Sequence, residues 1–194
     1  NNMTNIITKL RKNFPNLNIH VMNQSDSNEI TSEMYDIGFI GTTTPPIDSI
    51  ATLLGELNMH IYGSKEYLKK VKNIDDFEWV TYKRKDQADT NFVVNSFFQN
   101  PNIIISSDSY QDAHAFVSSG NGVTFLTDLD GDSDSRLEVF RREEYAFKIG
   151  FYLIQHELSR SNPIVRAVKQ TILEDIDELL QGTNFVTASS LNHY

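Results

Sequence analysis

The sequence predicts an α/β fold of mixed, mainly parallel sheet flanked by helices, and three observations carry that reading. A helical run over Ser109–Ser119 meets Gly120-Asn121-Gly122 and turns at once into the apolar segment Val123–Leu126. Glycine accepts the positive φ that such a helix-to-strand turn demands. The unbroken apolar character of Val123–Leu126 is that of a strand buried on both faces. The first forty residues also read helix, strand, helix, strand, the rhythm of parallel sheet construction.

Taken in order, Met3, Ile6, Ile7, Leu10 and Phe14 recur at helical spacing, and Lys9, Arg11 and Lys12 complement the dipole at the helix end. Pro15 stops this helix. Leu17–Met22 alternates as a strand, and Ser25-Asp26-Ser27 caps a short helix through Met34. Asp36–Ile40 reads as a buried strand that ends in the turn Gly41-Thr42-Thr43-Thr44-Pro45-Pro46. Ile50–Leu54 and Leu57–Tyr62 are expected as an extended pair interrupted at Gly55.

Ser64 caps a short helix containing Tyr67 and Leu68, and Ile74–Phe77 leads into the strand Trp79–Tyr82. Lys83-Arg84-Lys85-Asp86 is a loop, and Asn91–Gln99 is either a helix or irregular, ended by Asn100-Pro101. Ile103–Ser106, Leu137–Phe140 and Ala146–Ile154 read as strands. Pro163 starts a long amphipathic helix with Val165, Val168, Ile172, Ile176 and Leu179 on one face, which Gly182 ends. Thr183–Tyr194 reads as a polar tail, and no internal repeat is visible.

Composition narrows the function. The 194 residues suffice for one large domain or two small lobes, and 39% hydrophobic content is ordinary for a soluble chain. No apolar run approaches the ~20 residues needed to cross a membrane. With 17 basic against 26 acidic residues and a net charge of -9, direct nucleic-acid binding by this chain is disfavoured. The absence of cysteine excludes disulfides, thiolate zinc sites and cysteine nucleophiles. The opening Asn1-Asn2-Met3-Thr4 runs straight into a helix pattern without a signal peptide, and is read as the start of a fragment.

The chemical motifs are sparse. The five histidines have no metal-ligand spacing, and neither a nucleophile elbow nor a phosphate loop is present. Gly120-x-Gly122 follows a helix, where a dinucleotide fingerprint precedes one. Asp128-Leu129-Asp130-Gly131-Asp132-Ser133-Asp134 fails as a calcium loop in both frames: counting from Asp128 puts Ser133 sixth and Val139 twelfth, and placing Gly131 sixth puts Leu137 twelfth. The run is therefore expected to be a solvated acidic loop. Lys83-Arg84-Lys85 reads as a solvated loop, with anion attraction as the alternative. Thr42-Thr43-Thr44 stands where a strand ends, suited either to a polar ligand or to plain turn chemistry.

Several segments together resemble the effector-binding domain of LysR-type transcriptional regulators. The helix with Ile6, Ile7, Leu10 and Phe14-Pro15 is similar to that family's first regulatory-domain helix, and Asp36-Ile37-Gly38-Phe39-Ile40 to its acidic, apolar, small, apolar strand. Leu54–Leu57 through Tyr62–Leu68, Ile74–Phe77, Val117–Leu126 and Ser161–Arg166 follow in the family's order, so the resemblance runs to about Leu180. It departs in three places. The winged helix-turn-helix and first regulatory strand are absent, the helix after Ser25 is about one turn short, and Thr127 stands where many members carry proline.

The resemblance implies a two-lobed fold of the type 2 periplasmic-binding-protein kind, with lobe I over residues 1–57 and 143–180 and lobe II over residues 58–142. It implies a small anionic effector bound between the lobes by Thr42, Thr43, Tyr82, Ser109 and Thr127, without metal, cofactor or catalysis. It further implies a cytoplasmic homodimer or homotetramer, paired through the helix Thr4–Asn13 and the strand Leu17–Met22, that reaches DNA only through a domain outside this sequence. A solute-binding protein of a transport system shares the fold and is the alternative. An enzyme on that fold ranks last, since no paired carboxylates can be assigned to it.

Overall fold

A computed structural model describes residues 2–21, 35–45, 47, 49–82, 90–176 and 186–187. These fall into two compact units, one of residues 2–21, 35–56 and 150 onward, the other of residues 57–149. The strands β2 (Ser49–Ser64) and β7 (Ala146–His156) each contribute to both.

In the first unit, α1 (Asn2–Asn13) carries Arg11 and Lys12 in its last turn, where they oppose the helix dipole. Its Ile6 and Leu10 pack with Leu54, Leu153, Val168 and Ile172 in one buried cluster. The last two come from α6 (Pro163–Glu174), which has the expected proline start and is capped by Asn162 through Ile164 N at 2.9 Å. Lys9 Nζ and Asp175 Oδ2, 3.3 Å apart, join the two helices at the surface. β1 (Ile37–Thr42) pairs antiparallel with β7, from Ile37 opposite Gln155 to Thr42 opposite Gly150.

Residues 17–21 do not form the expected strand. They have no ladder partner among the described residues, while Leu17 and Ile19 lean on the unit's apolar cluster. Their alternation thus records one-sided burial, which needs no sheet. Gly55 does not interrupt β2 either: Gly55 and Glu56 pair with Thr187 and Val186 of β8 (Val186–Thr187), inside the segment read as a polar tail. The helix expected after Ser25, and the loop Lys83–Asp86, lie outside the described residues.

The second unit has the mixed sheet. β5 (Val123–Thr127) is antiparallel to β2 and parallel to β3 (Glu78–Tyr82), which is parallel in turn to β4 (Asn102–Ser107). β6 (Leu137–Val139) adds to β2. Every residue of β5 is buried, with Val123 and Phe125 in one core cluster and Leu126 in another, as a strand covered on both faces requires. The first cluster is aromatic, with Trp79 stacked on Phe125 at 5.8 Å and edge-on to Phe77.

The helices α2 (Lys65–Lys70), α3 (Thr90–Phe97) and α4 (Tyr110–Ser118) flank this sheet, and the short α5 (Asp128–Gly131) follows β5 directly. Ser64 caps α2 as expected, accepting from Tyr67 N at 3.1 Å. The segment left open between helix and irregular structure is the helix α3. Gly120 and Gly122 have φ of +91° and +80°, so the opening turn uses the left-handed conformation. At Gly122 a Cβ would meet the Glu78 carbonyl oxygen at 2.2 Å, so glycine there also lets β5 start close against β3.

Candidate functional site

Because β4, β3 and β5 are mutually parallel about β3, their C-terminal ends Ser107, Tyr82 and Thr127 share one end of the second unit's sheet. Tyr82 is fixed twice through backbone: its N–H donates to Thr90 Oγ1, and that hydroxyl donates back to Tyr82 O, both at 2.6 Å. Its phenol donates to Phe125 O at 3.2 Å. Edge-on to it, with centroids 5.2 Å apart, lies Tyr110.

Tyr110 opens α4, whose N-cap is Ser109: Ser109 Oγ accepts from Asp112 N at 3.2 Å, and Ser109 N donates to Ser107 Oγ at 3.1 Å. The Tyr110 phenol donates to Asp130 Oδ2 at 2.7 Å and accepts from Thr127 N at 3.2 Å. Thr127 caps α5, accepting from Asp130 N at 3.2 Å while its hydroxyl donates to Asp130 Oδ2 at 2.8 Å. Burial first, and then the Asp130 charge, push the Tyr110 phenol well above its ordinary value, so it remains a protonated donor.

Three of the five sequence-expected residues, Tyr82, Ser109 and Thr127, therefore converge on one strand end, with Tyr110 as their hub. Thr42 and Thr43 belong to the first unit, at the end of β1. Thr42 is buried, and its hydroxyl closes a local turn by donating to Thr44 O at 2.8 Å and accepting from Thr44 N at 3.0 Å. Thr43 is exposed.

The acidic run is not the solvated loop expected of it, because its carboxylates are taken up by partners. Asp128, buried, lies 3.1 Å from His60 Nε2 and accepts from Arg142 Nη1 at 3.0 Å and Asn58 Nδ2 at 3.3 Å. Asp132 accepts from the Tyr62 phenol at 2.7 Å and pairs with Arg142. Burial, with the Asp132 hydrogen bond next, raises the Tyr62 phenol far above its ordinary value. A Cβ on Gly131 would meet the Tyr62 ring at 2.3 Å, so that phenol reaches the network only past a glycine.

Asp134 accepts bidentately from Arg136 and from Ser118 Oγ at 2.9 Å. Hydrogen bonding from Arg136 is the main cause that holds its carboxyl well below the usual range, against the effect of burial. His114 Nε2 is 3.4 Å from the same carboxylate but lacks hydrogen-bonding geometry. Among the described residues no group of three or more histidines and carboxylates has the arrangement of a metal site. No helix among them is long and apolar enough to cross a membrane.

Sequence reasoning missed Tyr110, Asp130 and Arg142. Thr127-x-x-Asp130 has the spacing of a reciprocal cap at a helix start, a signal that could have identified Asp130. No local pattern announces Arg142, whose partner Tyr62 lies 80 residues away.

A family model described as the LysR substrate binding domain matches residues 1–177. No curated protein sequence matches the chain. Solved structures resemble it in fold. The regulatory domain of the C227S variant of AphB from Vibrio vulnificus is 14% identical, with a TM-score of 0.64 over 89% of this chain and 91% of that one. The Synechocystis PCC6803 CcmR regulatory domain in complex with 2-PG is 11% identical, with a TM-score of 0.70 over 89% of each chain. Full-length AphB of Vibrio cholerae, a virulence activator of the LTTR family, is 13% identical, with a TM-score of 0.63; the match covers 89% of this chain and 62% of that one.

Proposed function

The chain belongs to the LysR substrate-binding-domain family, and from that premise we propose that it is the ligand-sensing part of a bacterial transcription regulator. It binds a small, carboxylate-bearing effector and, without catalysing a reaction, controls DNA binding by a winged helix-turn-helix domain outside this sequence. The observation that carries this reading is a family match running through 177 of 194 residues. The gathered strand ends of the second unit support the location, since open α/β sheets take ligands at such ends. Thr127, Tyr82 and Ser109 supply contacts from that unit, and Thr42 and Thr43 from the first.

Effector binding favours one arrangement of the protein over another, and the response is limited by the difference in affinity between them. The working form is a cytoplasmic homodimer or homotetramer. The face of α1 bearing Thr4, Ile7, Thr8 and Arg11, together with Pro15 and Val21, lines a mainly apolar depression suited to subunit pairing.

The test is a thermal-shift screen of small carboxylates and 2-PG, followed by titration of any stabilising compound against Thr43→Val. Thr43 is exposed, so the substitution removes a hydroxyl without disturbing the core. Affinity should fall about tenfold, the usual weight of one hydrogen bond to a charged group. Full affinity in this variant and in Thr127→Val together refutes the site.

A further inference from the structure

Donor and acceptor accounting at the shared end of β3 and β5 restricts what can bind there. A hydroxyl has one proton to give. Three hydroxyls at this end spend theirs inside the protein: Tyr82 on Phe125 O, and Tyr110 and Thr127 both on Asp130 Oδ2. The amides of Thr127 and Asp130 are likewise committed, to Tyr110 and Thr127. What remains is acceptor capacity, above all Asp130 Oδ1, which takes no hydrogen bond from a described residue and belongs to an exposed side chain.

A ligand carboxylate placed against these hydroxyls and Asp130 would face a carboxylate and lone pairs, with no proton offered by the described hydroxyls of Tyr82, Tyr110 and Thr127. The serines at the start of α4 differ. Ser107 Oγ and Ser109 Oγ each accept an amide hydrogen, and neither hydroxyl proton is committed to a described residue. Donor capacity thus lies beside α4 and acceptor capacity beside α5.

We propose that the effector carries a hydrogen-bond donor, a hydroxyl or a protonated amine, which binds Asp130 Oδ1 while its carboxylate turns toward Ser107 and Ser109. Asp130 is then the residue that selects 2-hydroxy or 2-amino acids over the parent carboxylic acids. This rests on the reading of the Thr127 strand end as part of the effector site.

Calorimetric titration of the whole chain with two matched series, propionate, lactate and alanine, and succinate, malate and aspartate, tests it. In at least one series the hydroxy or amino member should bind about tenfold or more tightly than its parent acid, as a charge-assisted hydrogen bond provides. Asp130→Asn keeps an oxygen for Tyr110 and Thr127 but turns an amide donor outward, so the preference should vanish or reverse while the parent acid is unaffected or gains. An unliganded melting temperature within a few degrees of the wild type establishes that this variant is folded. Equal affinities within both series, no binding by any member, or a preference that survives Asp130→Asn each overturn the inference. Thr127→Val separates the two levels: if it weakens every ligand while Asp130→Asn leaves the preference intact, the site stands and the donor requirement falls. If neither substitution alters binding, the site itself is wrong.

Discussion

Gly120 and Gly122 share a left-handed backbone but not their surroundings, so alanine at each position isolates one cause of strain. At Gly120 the only heavy atom of a described residue that an added Cβ would approach within 4 Å is Ser64 Oγ, at 3.7 Å, which is ordinary contact. Gly120→Ala therefore carries only the conformational penalty of about 1–2 kcal/mol, partly offset by the stiffer unfolded chain. The net loss is about 1 kcal/mol. At Gly122 the same penalty applies, but Cβ would also meet Glu78 O at 2.2 Å and Glu78 C at 3.0 Å. That obstacle is backbone of β3 and cannot rotate away, so β5 and β3 must separate where Trp79 pairs with Val123. Overpacking of this kind adds about 1–3 kcal/mol, for a total near 3 kcal/mol. Trp79 is the sole tryptophan and is 1% exposed in the same core, so urea unfolding followed by its fluorescence reads this unit directly. The expected falls in melting temperature are about 2–4 °C and about 6–12 °C. Equal losses at the two positions, or a larger one at Gly120, would refute the steric argument.

Three further outcomes follow from the side-chain networks. Arg142→Met should cost about 2–3 kcal/mol in urea unfolding, since it strips a guanidinium from the buried Asp128; the loss stays below that of a fully buried pair because His60 and Asn58 still reach the carboxylate. Asp134 has a folded pKa below its unfolded value, so its contribution is present above about pH 4 and disappears as pH falls through the folded value. Asp134→Asn should accordingly flatten the acid limb of a stability–pH curve below about pH 4, and an unchanged limb would contradict the pairing. Asn162→Ala should cost about 1 kcal/mol by loss of the α6 cap, measured by chemical denaturation, with little effect on effector affinity.

Local chemistry made much of the fold legible. Ser64, Ser109 and Asn162 cap the helices they precede, and the positive φ of Gly120 and Gly122 produces the turn their spacing suggested. What failed were inferences needing a partner element. Leu17–Val21 has strand alternation but no ladder among the described residues, and Gly55 sits inside a continuous strand because β8 pairs across it. The side-chain network at the strand ends was less legible for the same reason. The pattern locates the strands that end near Tyr82 and Leu126, whereas Tyr82 and Thr127 are expected as site residues only through the family resemblance. The orientation of Tyr110 onto Asp130, and of Arg142 onto Asp128, depends on contacts across 14 to 20 residues that no local window encodes.

The acidic run shows how a calcium-like pattern can serve a different end. Asp128 opens the short helix α5 and Asp132 caps its end, four residues apart and so on the same side. Asp128 and Asp132 both meet Arg142, whose single positive charge faces their two carboxylates. Asp130 instead faces Tyr110 and Thr127 through Oδ2, and its Oδ1 takes no hydrogen bond from a described residue. α5 thus stands between the proposed effector contact and a network anchored at Asn58 and His60 on β2, the strand that continues into the first unit at Glu56. A ligand that bound Asp130 equally well in every arrangement would shift nothing, however tightly it bound. Under the proposed function, the pull on Asp130 must differ between arrangements, and the buried Asp128 contacts with Arg142 and His60 anchor α5 within its own unit.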